Sequence, residues 1–366
     1  AVEAAASSGG QIMPPIMGSA AFLMAEYVGC RYWDVVVAAF IPAILYYLAI
    51  LFQVDLYALR NKLPIMSRDT LPPIRDTMKE IWKLSPMVIL VLLIGPLRFT
   101  VQRAGIITVV VTVIVSCLSK ETRLTKKRIL NFISDAAHGC CTVAIATAAA
   151  GIIIGSVVGT GLSVRLSSVL VRLAGGNIVL LLIYTMIASL ILGMGLPASA
   201  CYLLLASLVA PAIVELGVPI MAAHLFVLYF GIISNVTPPV AMAAYAAAGI
   251  ADCNPTKCGI QAFKLAIGGF LLPYFFSFND VLLMNGSVGS IVVAVIGAVA
   301  GIYCMSCCIE GYIWSAPINW VGRILIGIAG LCLIDPSLMT DVVGICLAVL
   351  VHVTFITRSR RKMVEA

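Results

Sequence analysis

Along the chain, long apolar runs alternate with short charged or proline-rich breaks. Membrane-crossing helices need about 20 mostly apolar residues, so the runs predict spans at 35–54, 85–97, 104–118 and 130–158. Further spans fit 177–193, 262–278, 287–303, 318–334 and 340–356. The run at 161–174 carries Arg165 and Arg172 and reads as a surface helix. Two stretches break the pattern. An interrupted span at 9–28 contains Pro14-Pro15, and a second apolar run meets Pro238-Pro239. Proline removes a backbone donor and clashes with the preceding turn, so each pair predicts an interrupted helix. Between them, the span at 177–193 ends in Gly193-Met194-Gly195-Leu196-Pro197, and a short apolar segment from Ala198 to Val214 follows. That punctuation predicts a re-entrant hairpin followed by a broken helix.

Composition fixes the class. Of 366 residues, 62% are hydrophobic and 11% charged, with a mean hydropathy of +1.11. A water-facing surface cannot be built from so few polar residues, which makes this an all-α polytopic membrane protein. The net charge of +7 comes from loops and the tail, where orientation rules place basic residues, and is not a nucleic-acid footprint. The basic tail Arg358–Lys362, the loop Lys120–Arg128 and the stretch Asp55–Lys83, with six Lys or Arg, are expected to be cytoplasmic. The last of these, with Pro64, Pro72 and Pro73, reads as a surface loop with an amphipathic helix. Counting spans from these anchors sends the first broken helix outward and the second inward, an inverted repeat.

The first prolines of the pairs stand 224 positions apart, at Pro14 and Pro238. Each pair lies among small and polar residues: Ser7, Ser8, Gly9, Gly10 and Gln11 in one copy, Ser234, Asn235 and Thr237 in the other. A broken helix frees carbonyls that can meet a cation and amides that can meet an anion. Oxygen donors in a compact, weakly charged setting suit Na⁺ better than a transition metal. The candidate ion-binding residues are therefore Ser8, Gly10, Gln11, Pro14, Ser234, Asn235, Thr237 and Pro238.

Other chemistry is weaker. The 12 cysteines are scattered or adjacent; Cys304, Cys307 and Cys308 resemble half a metal site, but small packing residues are the simpler reading. Glu26, Glu215, Asp280 and Glu310 fall at segment ends, and Asp135 on an amphipathic entry. His138 and His224 are either packing residues or proton relays. No Ser-His-Asp set, aspartyl pair or HExxH motif appears, so an enzyme is not expected, nor is an organic cofactor or bound metal.

With Gly9–Gly18, Ala20–Glu26, Gly193–Pro197 and Asn235–Val240, the chain resembles the large membrane subunit of TRAP transporters (tripartite ATP-independent periplasmic transporters). Glu310-Gly311-Tyr312 and Asn319-Trp320, within the last four spans, are similar to the extension of the fused TAXI-type permeases. The resemblance implies an elevator-type, inverted-repeat secondary transporter, driven by Na⁺ or alternatively by H⁺. It implies import of a small carboxylate from a periplasmic solute-binding protein, across a bacterial or archaeal inner membrane. By the same likeness, Gly193, Gly195, Pro197 and Ser199 open the second hairpin beside the substrate, where many relatives have an acidic residue and this chain has Leu196-Pro197.

Four regions are expected: 1–54 as the end of the first transport repeat, and 55–128 as a cytoplasmic linker and two spans. Residues 129–261 form the second repeat and 262–366 the four-span extension with its tail. Relatives carry a first hairpin and further helices before the Gln11 motif, and this chain opens on Ala1. A C-terminal portion partnered by that N-terminal half is therefore expected; the alternative is a truncated, non-transporting membrane scaffold.

Overall fold

The computed structural model describes residues 1–64, 78–118, 124–313, 316–334 and 338–365. Pro72, Pro73 and part of the basic loop from Lys120 lie outside the described residues, as do the side chains of Arg358–Lys362.

The first broken helix comprises α1 (Val2–Gly9) and α2 (Ser19–Val28), separated by a loop with a cis Pro14–Pro15 bond. Next come α3 (Tyr32–Arg60), α4 (Ser85–Ile94), α5 (Val101–Leu118), α6 (Lys126–Gly159) and α7 (Leu162–Ala174). The hairpin pieces are α8 (Ile178–Gly193), α9 (Ala198–Leu208) and α10 (Ala210–Glu215). The second broken helix is α11 (Ile220–Ile233), a 3₁₀ turn (Ser234–Val236), a cis Pro238–Pro239 bond and α12 (Met242–Ile250). The chain continues through α13 (Pro255–Leu265), α14 (Ile267–Phe278), α15 (Val288–Glu310), α16 (Trp320–Ile334) and α17 (Leu338–Glu365). A two-stranded antiparallel ribbon, β1 (Tyr312–Ile313) and β2 (Ala316–Pro317), joins α15 to α16.

Most of the apolar runs have a helix whose ends fall within a few residues of theirs. The clearest difference is α3. It begins at Tyr32 and runs past Asp55 to Arg60, so the first residues expected as loop are helical. Asp55, Tyr57, Leu59 and Arg60 are exposed while Leu56 is buried, and a helix can carry such a one-sided pattern past the apolar run. Among the described residues, four segments are long and apolar enough to cross a membrane: Tyr32–Arg60, Val101–Leu118, Pro255–Phe278 and Val288–Glu310. Thr147–Gly159 and Leu162–Ala174, bent by 72°, could together make a fifth. Exposed apolar residues such as Ile106, Val110 and Ile114 on α5 are unsuited to water and suited to lipid.

Two compact units are present. One comprises Ala1–Cys30, Asp34–Leu63 and Ala149–Ala366; the other comprises Arg31–Trp33 and Pro64–Ala148. In the first, α11 forms the centre, with every residue from Ala222 to Ile233 buried. Against it pack α2, α8, α9 and α14. The C-terminal helices close on one another through small residues: a Cβ at Gly301 would lie 2.7 Å from the Gly330 carbonyl oxygen. Only glycine permits that approach of α15 to α16. Leu56 of α3 enters a buried cluster with Cys304, Cys307, Ile313 and Ile318, so two of the cysteines fill apolar space. In the second unit, α4 packs along α5.

Candidate functional site

The site is assembled from two helix ends. In the first break, α1 closes by short backbone bonds: Gly10 N–H to Ser7 O (3.1 Å), Gln11 N–H to Ser8 O (3.2 Å) and Ile12 N–H to Gly9 O (3.0 Å). Such tightened turns satisfy carbonyls that a helix end leaves open. The loop then returns, with Gly18 N–H donating to Gln11 O at 3.0 Å. A Cβ at Gly18 would lie 3.2 Å from Gln11 Cβ, so the Gln11 side chain lies along its own loop. Ser8 is buried and donates to Ala4 O at 2.8 Å, while exposed Ser7 donates to Glu3 Oε1 at 2.7 Å. Gly10 is exposed and Pro14 buried.

The second break repeats this logic. Ser234 is fully buried and donates to Gly231 O at 2.7 Å. Thr237 donates to Ile233 O at 2.8 Å, and its own carbonyl accepts from Ala241 N–H at 3.1 Å. Asn235, Thr237 and Pro238 are half-buried. Ala241 sits in the left-handed region with φ 33°, uncommon for a residue with a Cβ, as the chain turns into α12. A hydroxyl that donates its proton to a carbonyl keeps lone pairs facing elsewhere. Ser8, Ser234 and Thr237 are all in that state.

Tertiary packing joins the two breaks. α1 packs on the Ser234–Val236 turn and on α12, whereas α2 packs on α11 and α9. Each half of one break thus packs chiefly on the opposite half of the other. The hairpin completes the arrangement. α8 packs on α11 and on the 3₁₀ turn, and a Cβ at Gly193 would lie 2.9 Å from both Ser234 Oγ and Cys201 Sγ. Gly193 is therefore a point of contact between hairpin and break. Ser199 is buried in the first turn of α9, whereas Gly195 (φ 81°) and Pro197 are exposed in the connecting turn.

Several participants carry no sequence motif. Tyr46 and Tyr47 of α3 donate to the Ala5 and Ala6 carbonyls, each at 2.8 Å, and hold the last turn of α1. Cys201 lies between Gly193 and Gly231. Thr185 and Ser189 are one turn apart on α8, fully buried, and their hydroxyls have no hydrogen-bond partner among the described residues. The i, i+4, i+8 relation of Thr185, Ser189 and Gly193 was the one available signal, and it was hidden in an otherwise apolar helix. His224 is buried and hydrogen-bonded through Nδ1 to Tyr202 Oη at 2.8 Å. His138 is exposed, its Nδ1 lying 2.8 Å from Ser134 O of the same helix. Glu26, Asp135 and Glu215 are exposed, and Glu310 is buried at the end of α15, where Arg60 donates to its carbonyl at 2.8 Å.

A protein-family model described as "Tripartite ATP-independent periplasmic transporter, DctM component" matches residues 1–291. The match contains both breaks and the hairpin. No curated protein matches the chain significantly.

Proposed function

From the premise that the chain belongs to the DctM component family of tripartite ATP-independent periplasmic transporters, we propose that it is the permease through which an ion gradient drives import of a small carboxylate. As a family member it is an integral membrane component of a transport system, and the family is one of transporters, not enzymes. The finer reading is Na⁺ coupling with a solute handed over by an extracytoplasmic binding protein, in a TAXI-type fused permease. It further takes the membrane to be the inner membrane, the tail to be cytoplasmic, and transport to proceed by an elevator motion.

One observation carries this reading: the two helix breaks and the hairpin end meet, with Ser234 against Gly193. Around them stand oxygen donors without formal charge, a setting that suits a weakly held, exchangeable alkali cation. Ser8, Gly10, Gln11 and Pro14 would serve one ion site, and Ser234, Asn235, Thr237 and Pro238 the other. The broken helices supply backbone carbonyls, each with a second lone pair beyond its hydrogen bond. For the carboxylate, the first turn of α9 offers amides at Ala198 and Ser199 with no side-chain cap competing for them. A helix N-terminus favours an anion there. Gly193, Gly195 and Pro197 would shape the approach.

The test is uptake into proteoliposomes carrying the transporter, with binding protein outside and Na⁺ and pH varied separately. Joint replacement Asn235→Ala, Thr237→Ala is expected to weaken Na⁺-dependent uptake at least tenfold, about the loss of one or two ligand contacts at 1–1.5 kcal/mol each. Wild-type uptake and Na⁺ dependence in that variant would remove these residues from the ion site. Proton coupling is the second reading, favoured by the buried His224–Tyr202 pair beside a 450 Å³ cavity lined by Tyr27 and Glu215. Uptake that follows the pH gradient in Na⁺-free buffer and is lost in His224→Gln would select it.

A further inference from the structure

The second unit contains a cavity of about 520 Å³ that the transport reading leaves unused. Its walls include Arg31, Tyr32 and Trp33 at the start of α3, and Gly95, Arg98 and Phe99 in the connection from α4 to α5. That volume lies within the usual range of small-molecule sites, about 300–1,000 Å³. The connection is a built structure. Leu97 N–H donates to Leu92 O at 3.1 Å, Arg98 N–H to Gly95 O at 3.3 Å and Phe99 N–H to Leu93 O at 2.9 Å. Arg98 adopts φ 53°, a left-handed conformation rare for a side-chain-bearing residue. Gly95 gives the Trp33 ring its place, since a Cβ there would lie 2.8 Å from the ring atoms Cη2 and Cζ3.

The chemistry of the walls is specific. Two guanidinium groups border one concavity, and among the described residues no acidic side chain pairs with Arg98. Guanidinium forks match phosphate oxygens in a bidentate manner, and aromatic rings give the same cavity apolar area. The position is equally telling. α4 ends and α3 and α5 begin around the cavity, all three strongly apolar. The ends of apolar helices mark the boundary between hydrocarbon and water, where Trp, Tyr and Arg meet lipid headgroups. We propose that this cavity binds a phosphate ester, held by Arg31 and Arg98 and flanked by Trp33 and Phe99, with an acidic phospholipid headgroup as its source.

The experiment uses the full chain, purified in detergent and stripped of lipid. It is incubated with phosphatidylglycerol, with phosphatidylcholine of the same acyl chains, or with glycerol 3-phosphate in water, and bound molecules are counted by native mass spectrometry. Phosphatidylglycerol is expected to be retained several-fold over phosphatidylcholine. Arg31→Gln and Arg98→Gln should each lower that retention about tenfold, the effect of one charge-assisted hydrogen-bonded contact. Arg103→Gln, on α5 but outside the cavity walls, should leave it unchanged. Glycerol 3-phosphate bound with the same arginine dependence and without lipid preference would keep the site and assign a soluble source. Equal retention of both lipids with no glycerol 3-phosphate bound overturns the proposal, and this comparison needs only the wild-type protein. Unchanged retention in both glutamine variants overturns it too.

Discussion

Tyr46 and Gly193 show how single residues hold the breaks in place. The hydroxyl of Tyr46 is buried and donates to Ala5 O, in a helix of only eight residues that has little stability of its own. Tyr46→Phe leaves that carbonyl without this donor, so the protein should lose about 1 kcal/mol of stability, read as a lower Tm in detergent. Gly193 is tighter. A methyl there meets Cys201 Sγ and Ser234 Oγ at 2.9 Å, and overpacking of this kind costs about 1–3 kcal/mol. Gly193→Ala should therefore lower Tm, and adding Cys201→Ala should recover part of the loss, because it removes one of the two obstructing atoms. Additive losses in the double variant would show that the two residues do not touch. None of these contacts follows from residue type alone: Tyr46 and Cys201 sit in apolar runs like any packing residue.

At the scale of elements, α3 binds together parts of the chain far apart in sequence. Its tyrosines hold α1, Gln53 donates to the Leu265 carbonyl at 3.2 Å, and Arg60 donates to the Glu310 carbonyl at 2.8 Å. Leu56, 2% exposed, is the apolar part of the link to α15 and the ribbon. Leu56→Ala should cost about 2–5 kcal/mol, the range for emptying a buried leucine site, and Arg60→Gln about 1 kcal/mol, since the arginine is largely exposed. Thermal unfolding of the two variants checks the order; a larger loss for Arg60→Gln would make the polar contact the main link. The broken helices behave differently. Each half is too short to be stable alone, so its position depends on neighbours. The exchange of partners between α1–α2 and α11–α12 supplies those neighbours.

For the whole molecule, the family match stops at residue 291, within α15, yet the remaining helices are packed onto Leu56 and the end of α3. Deleting residues 286–366 is expected to uncover that buried surface and to yield aggregates on size-exclusion chromatography; a monodisperse truncated protein would show the C-terminal helices to be dispensable for folding. The membrane class, the two proline breaks and the glycine-proline turn at residues 193–197 are legible in the chain before any packing is known. Each of these follows from hydropathy or backbone chemistry, which are local properties of the chain. Packing in three dimensions sets the rest: the breaks lie against each other, Gly193 meets Ser234, and Thr185 and Ser189 are buried without hydrogen-bond partners among the described residues. It alone drew Arg31 and Arg98, far apart in the chain, to one cavity. Contacts between distant segments depend on how helices pack, and a uniformly apolar sequence gives one helix face little to distinguish it from another.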